Sequence, residues 1–278
     1  MKKIGEYIKS IEIESLWSGK KHIVWKLDRN VNILSGVNGV GKTTILNKAV
    51  TQLLHLVRAD GEGLPGVKLT YEPTDADTVR FDVIRSFDRP LIQSNLLDKL
   101  ADDRVTTELD WQLYLLQRRF LDYQVNVGNR MIQMLTSGDP KAREMAEKAA
   151  GARTLFQDMV DELFGETGKK IVRTSNEIQL EQYGEPLSAY KLSSGEKQML
   201  VILLTVLVED GQPYVLFMDE PEISLHVEWQ QKLISLIRLL NPNVQIILTT
   251  HSPAVIMNGW LDNVTEVSDI TLGESEER

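Results

Sequence analysis

Gly36-Val37-Asn38-Gly39-Val40-Gly41-Lys42-Thr43 is the stretch on which the fold turns. It matches G-x-x-x-x-G-K-[ST] without a mismatch, and it lies between an apolar run, Val31-Asn32-Ile33-Leu34, and a helical segment from about Lys42 to Val57. Glycines in such a loop let backbone N–H groups turn inward around an anion, and a helix start adds a favourable field. Lys42 has the reach for a terminal phosphate, and the Thr43 hydroxyl can ligate a divalent cation. The stretch predicts a strand–loop–helix unit gripping phosphate through Gly36, Val37, Asn38, Gly39, Val40, Gly41, Lys42, Thr43 and Thr44.

Upstream, residues 4 to 35 read as three strands: Ile11 and Ile13 alternate with Glu12 and Glu14, Ile23-Val24-Trp25 follows, and Val31 to Leu34 leads into the loop. Downstream, strands are expected at Val67 to Tyr71 and Val79 to Phe87. From about Ser94 to Thr167 the period becomes helical, with Leu113, Leu116, Phe120 and Tyr123, then Leu155, Phe156, Met159 and Leu163, at three- and four-residue steps. Asn126 to Asn129 and Ser137 to Pro140 read as breaks between helices. Strands follow at Lys170 to Arg173 and Glu177 to Glu181. A strand–helix alternation closes the chain: a helix from Glu196, a strand at Tyr214 to Met218, a helix from about His226 to Leu240 and a strand at Val244 to Thr249. Such alternation implies an α/β fold with a mostly parallel sheet between helices.

Composition narrows the function. The chain has 278 residues, 42% of them hydrophobic, enough for a substantial core. A formal charge of -9 argues against a surface built to coat phosphate backbones, though a local basic patch and nucleic-acid contact stay open. With no cysteine there are no disulfides or thiolate metal sites, and the four histidines show no metal-ligand spacing. Met1-Lys2-Lys3 leads into strand-like sequence rather than an apolar leader. The longest apolar run, Met199 to Val208, is about half of the ~20 residues a membrane span needs. A cytoplasmic protein with no membrane span is the expectation.

Two more segments carry chemistry. Val215-Leu216-Phe217-Met218 delivers Asp219 and Glu220 at the carboxyl end of a strand, where parallel sheets bind ligands, and Pro221 stops the strand. Asp219 suits a divalent cation, and Glu220 suits the deprotonation of an attacking water. Leu192-Ser193-Ser194-Gly195-Glu196-Lys197-Gln198 opens a helix with free N–H groups. Ser193 and Glu196 also form an S-x-x-E capping box, and the two roles are compatible.

Together these segments resemble the ABC ATPase superfamily, over residues 1 to 93 and 167 to 265. The resemblance implies an ABC ATPase fold in a single domain: an N-terminal antiparallel β subdomain, a helical insertion at 94–166 and an acidic tail at 273–278. It implies ATP and Mg²⁺ as cofactors, with Glu220, His251 and Lys42 catalytic and Thr43, Gln93 and Asp219 at the metal. It further implies that Ser193, Ser194 and Gly195 contact the nucleotide of a second copy, making an ATP-dependent homodimer or higher oligomer. His251, after Ile246-Ile247-Leu248-Thr249-Thr250, resembles the switch histidine of that family. Gln93 stands where its glutamine loop is expected. Trp17, Trp25 and Lys21 are candidates for the adenine, with a core or edge-strand role for the tryptophans the commoner one. His226 falls in the turn after the acidic pair, at the surface or at an interface.

Ser194 and Glu196 depart from the L-S-G-G-Q of transporters, and Glu222 follows Pro221 where transporters more often carry threonine. Both features resemble the SMC, RecF and OLD branch, and the motif style resembles Septu-like and retron-linked, defence-associated ATPases. The expected function is an ATP-hydrolysing dimer that gates a separate effector protein or processes nucleic acid in antiphage defence. The nuclease domain of OLD proteins is not in the chain, which points to a partner encoded separately. Three alternatives stay open: a RecF- or SMC-like DNA-repair ATPase, the nucleotide-binding subunit of a transporter, and a slow ATP-clamped scaffold.

Overall fold

The computed structural model describes residues 2–17, 19, 21–57, 63–85 and 104–272. Gln93 and the acidic tail lie outside the described residues, as does the start of the expected helical insertion.

In chain order the first elements are β1 (Ile4–Gly5), β2 (Tyr7–Leu16), β3 (Lys21–Lys26), β4 (Val31–Ser35), α1 (Lys42–Val57), β5 (Val67–Glu72), β6 (Thr78–Val79) and β7 (Phe81–Arg85). Two long helices follow, α2 (Glu108–Thr136) and α3 (Ala142–Phe164), then the short strands β8 (Lys169–Ile171), β9 (Gln179–Gln182) and β10 (Glu185–Ser188). The last part runs α4 (Ser194–Val208), β11 (Tyr214–Asp219), α5 (Val227–Leu240), β12 (Val244–Thr249), α6 (Pro253–Met257), β13 (Val264–Glu266) and β14 (Thr271–Leu272).

The central sheet has the order β13-β4-β12-β11-β7, and every pairing in it is parallel. Its inner strands are buried on both faces, so they read as continuous apolar runs. Successive residues serve opposite layers. Leu216, Met218, Ile246 and Leu248 face a core shared with α2, α3, α4 and α5, while Val215, Phe217, Ile247 and Leu34 face a second core shared with α1 and the antiparallel sheet. That second sheet has the order β14-β3-β2-β5, and it is the expected N-terminal antiparallel unit. Gln245, fully buried in β12, fastens the two sheets: its side chain accepts from the Ile8 N–H and donates to the Ile8 carbonyl, each at 2.8 Å.

The α/β expectation holds, and α1 and β12 run between the residues read from sequence. Three details differ. Asn126 to Asn129 is no break: α2 continues through it because Tyr123 and Val127 are buried against the core. Tertiary burial outweighs the roughly 1 kcal/mol that Gly128 costs in a helix. The hairpin β9–β10 turns at Tyr183 and Gly184, at φ 53° and 84°, and β10 was not foreseen. Past residue 265, β13 is completed along β4 and β14 pairs with β3.

The N-termini of α2 and α4 are joined by a buried ion pair, Lys197 Nζ to Asp110 Oδ1 at 2.7 Å. The other Asp110 oxygen accepts from the N–H groups of Thr106 and Thr107, at 3.1 Å each, and from the Thr106 hydroxyl at 3.0 Å. Burial alone would raise the Asp110 carboxyl, but the hydrogen bonds from Lys197 and Thr106 outweigh it and hold it below the usual carboxylate range. A carboxyl lowered by folding adds stability above its unfolded value and loses it as the pH falls through the folded one. Asp110→Ala should therefore cost about 3–5 kcal/mol in urea unfolding at neutral pH, because it strands the Lys197 ammonium. The gap between parent and variant should narrow below about pH 4.

Candidate nucleotide site

The register of the central sheet builds the site. Asp219 pairs with Thr249, and Thr249 pairs with Leu34, so the carboxyl ends of β11, β12 and β4 are level. The loop leaving β4 passes Gly39 at φ 79° and Gly41 at φ 107°, left-handed values that favour glycine. A Cβ on Gly41 would also sit 3.1 Å from the Trp17 ring, so the loop is packed as well as turned. Trp17 is half-exposed there, with the Lys21 ammonium 4.9 Å from its ring centre, whereas Trp25 is a core residue.

Lys42 is only 5% exposed, and its Nζ donates to the carbonyls of Gly36 at 2.9 Å and Val37 at 3.3 Å. Burial lowers the ammonium below its ordinary value, with Glu220 and Asp219 pulling it back up. A desolvated cation leaning on neutral carbonyls is a receptor for an anion. Asp219 Oδ1 accepts from the Thr249 hydroxyl at 2.6 Å and from the Thr43 hydroxyl at 3.1 Å. No group of three or more His, Asp or Glu residues able to hold a metal occurs among the described residues. A Mg²⁺ at Thr43 and Asp219 fits such a sparse donor set only with phosphate oxygens and water completing its shell.

Glu220 takes φ 48°, and its N–H donates to the carbonyl and hydroxyl of Thr249, both at 3.1 Å. Glutamate in that region costs of order 1–3 kcal/mol, the kind of strain that accumulates at working sites. The bend leaves the Glu220 carboxylate 3.4 Å from His251 Nε2. Glu222, 6% exposed, accepts from the Thr250 hydroxyl at 2.5 Å and the His251 N–H at 3.1 Å. Thr249, Thr250 and Glu222 carried no role in the sequence. Glu222 stood out only as a departure from the transporter pattern, and the fold supplies the partners of all three.

Ser193 caps α4 in a box with Glu196, whose carboxylate also meets Lys169 at 2.8 Å. A Cβ on Gly195 would lie 2.4 Å from the Ser224 carbonyl oxygen, in the turn after β11. His226 caps α5 without a side-chain bond. A cavity of about 790 Å³ lined by Asp82, Arg119, Tyr123 and Glu209 lies at the opposite, amino end of β7 and β11, away from this chemistry.

A family model described as "AAA domain, putative AbiEii toxin, Type IV TA system" matches residues 72–258. The chain belongs to this AAA family. The Retron Vc95 probable ATPase of Vibrio cholerae serotype O1 biovar El Tor is 30% identical over 113 residues, 36% of this chain and 22% of that protein. Septu protein PtuA of Bacillus thuringiensis is 25% identical across 97% of this chain and 76% of its own length. The chain thus spans under a quarter of the retron ATPases it matches, 22% and 23% of their lengths. In structure it is similar to the SmcHead bound to the C-winged helix domain of ScpA, with a TM-score of 0.50, 13% identity and 97% and 98% of the two chains covered. The fold is accordingly that of a P-loop ATPase of the ABC and SMC type. No helix among the described residues is long and apolar enough to cross a membrane.

Gly195→Ala tests the close approach to Ser224. The methyl group must displace a backbone carbonyl, so the variant should lose about 1–3 kcal/mol in thermal unfolding. An unchanged transition would show that the turn yields freely.

Proposed function

We propose that the chain binds ATP with Mg²⁺ and hydrolyses it between two copies, using the closing and opening of the pair to gate a separate effector in antiphage defence. The observation that supports this reading is the position of α1 and α4. The phosphate-loop helix α1 packs on one face of the central sheet, and α4, which Ser193 to Gly195 open, packs on the other. A helix start on the far layer serves a nucleotide held by a second copy better than one held by its own.

In this reading the loop N–H groups and Lys42 take the phosphates, and Lys42 exchanges its carbonyl partners for phosphate oxygens. Mg²⁺ held by Thr43 and Asp219 would neutralise charge on the phosphates. Glu220 accepts the proton of the attacking water, and His251 beside it holds the geometry. Trp17, beside Gly41, offers a ring to the base. Similarity to a Septu protein and to probable retron ATPases supports the ATPase reading and the defence setting.

Glu220→Gln should bind ATP and accumulate as a dimer in sedimentation with Mg²⁺, with phosphate release reduced about 10²-fold or more. Release at the parent rate would remove Glu220 as the base. Ser193→Arg should keep ATP binding by the monomer and lose the dimer. Loss of monomer binding would count against a role in trans.

A further inference from the structure

The glutamate after Pro221 sets this chain apart from transporters, and the hydrolysis reading gives it no task. Glu222 is 6% exposed, yet it keeps a carboxylate in the interior. One oxygen, Oε1, accepts from the Thr250 hydroxyl at 2.5 Å and from the His251 N–H at 3.1 Å. The other, Oε2, is buried and meets no hydrogen-bond partner among the described residues. A half-satisfied buried carboxylate is a poor device for stability, since an apolar side chain of similar volume would serve the packing better.

The surrounding bonds form a closed ring. The Ser252 N–H donates to the Thr250 hydroxyl oxygen at 2.9 Å, and the Ser252 hydroxyl donates to Gln230 Oε1 at 2.6 Å. Gln230 Nε2 returns to the carbonyls of Glu222 at 3.2 Å and Leu225 at 2.9 Å. His251 therefore sits between two residues that are both tied down, and its own N–H is tied as well. Its imidazole is 37% exposed, and its Nε2 lies 3.4 Å from Glu220. These bonds hold the stretch of backbone from which the imidazole projects.

We propose that Glu222 is the positioning residue for His251, locking the turn after β11 to the loop after β12 so that Glu220 and His251 face one water. Gln230 is the second clamp of the same ring. The proposal rests on the reading of Glu220 and His251 as the hydrolytic pair. Glu222 touches neither nucleotide nor water in it and acts through the His251 backbone.

Three variants test this: Glu222→Met, of similar length with no acceptor; Glu222→Gln, which keeps an acceptor oxygen; and Thr250→Val. Each is assayed for phosphate release with Mg-ATP, for thermal unfolding, and by NMR with ¹⁵N-labelled histidine. His251 is assigned through His251→Asn, and the other histidines of the four in the chain serve as controls. Glu222→Met should lower kcat about 10–100-fold with KM within about twofold, as expected for a misplaced catalytic group. Glu222→Gln should recover most of that loss. Thr250→Val should move turnover in the same direction, and the double variant with Glu222→Met should lose less than the sum of the two, because the residues share one bond. The His251 signal alone should move in Glu222→Met. Parent-like kcat with an unmoved His251 signal in Glu222→Met overturns the proposal. Equal damage in Met and Gln variants, with all histidine signals moved, also overturns it by showing a purely structural role. If the parent chain releases no phosphate, the hydrolysis reading falls, and the NMR pattern decides the positioning claim by itself.

Discussion

A single carboxylate oxygen, Asp219 Oδ1, references the parts of this site to one another. The sheet order places β12 between the strand that feeds the phosphate loop and the strand that ends in Asp219, so those two never touch. By accepting from Thr249 on the intervening strand and Thr43 on α1, Asp219 spans that gap. Hydrogen bonds to an ionised acceptor are worth about 1.5–3 kcal/mol each, more than neutral ones. The loop, the acidic pair and the histidine then share one frame, set by parallel register.

Several costly features meet at that edge. Glu220 is held left-handed, burial lowers the Lys42 ammonium, and Glu222 keeps a buried oxygen with no partner among the described residues. Away from the edge, the inner strands bury apolar side chains on both faces and Gln245 satisfies its neighbours fully. A rigid two-layered sheet is what lets so much strain persist in one turn.

Much of the architecture was legible because the periodicity is strong where burial is one-sided or complete. Lys42–Val57 and Val244–Thr249 could be bounded from the phosphate-loop motif and the apolar pattern, and the strand read as Tyr214 to Met218 runs one residue further, to Asp219. Asn126 to Asn129 misled because turn propensity is local, whereas the burial of Tyr123 and Val127 is not. β10, β13 and β14 are two to four residues long and exist by pairing rather than by pattern. Within the candidate site, the loop glycines, Lys42, Asp219 and Glu220 are marked by motif and strand context, and His251 by its resemblance to the switch histidine of the ABC superfamily. Thr249, Thr250 and Glu222 are not, because their partners lie about 30 positions away and are chosen by strand order.

Gly195 has a wider consequence. With no room for a methyl group against the Ser224 carbonyl, the opening of α4 and the turn after β11 are in direct backbone contact. In the proposed dimer, a second copy pressing on that helix start would press on the segment that carries Glu220 and Glu222. In such a pair, each half would feel through its own α4 whether its neighbour is docked.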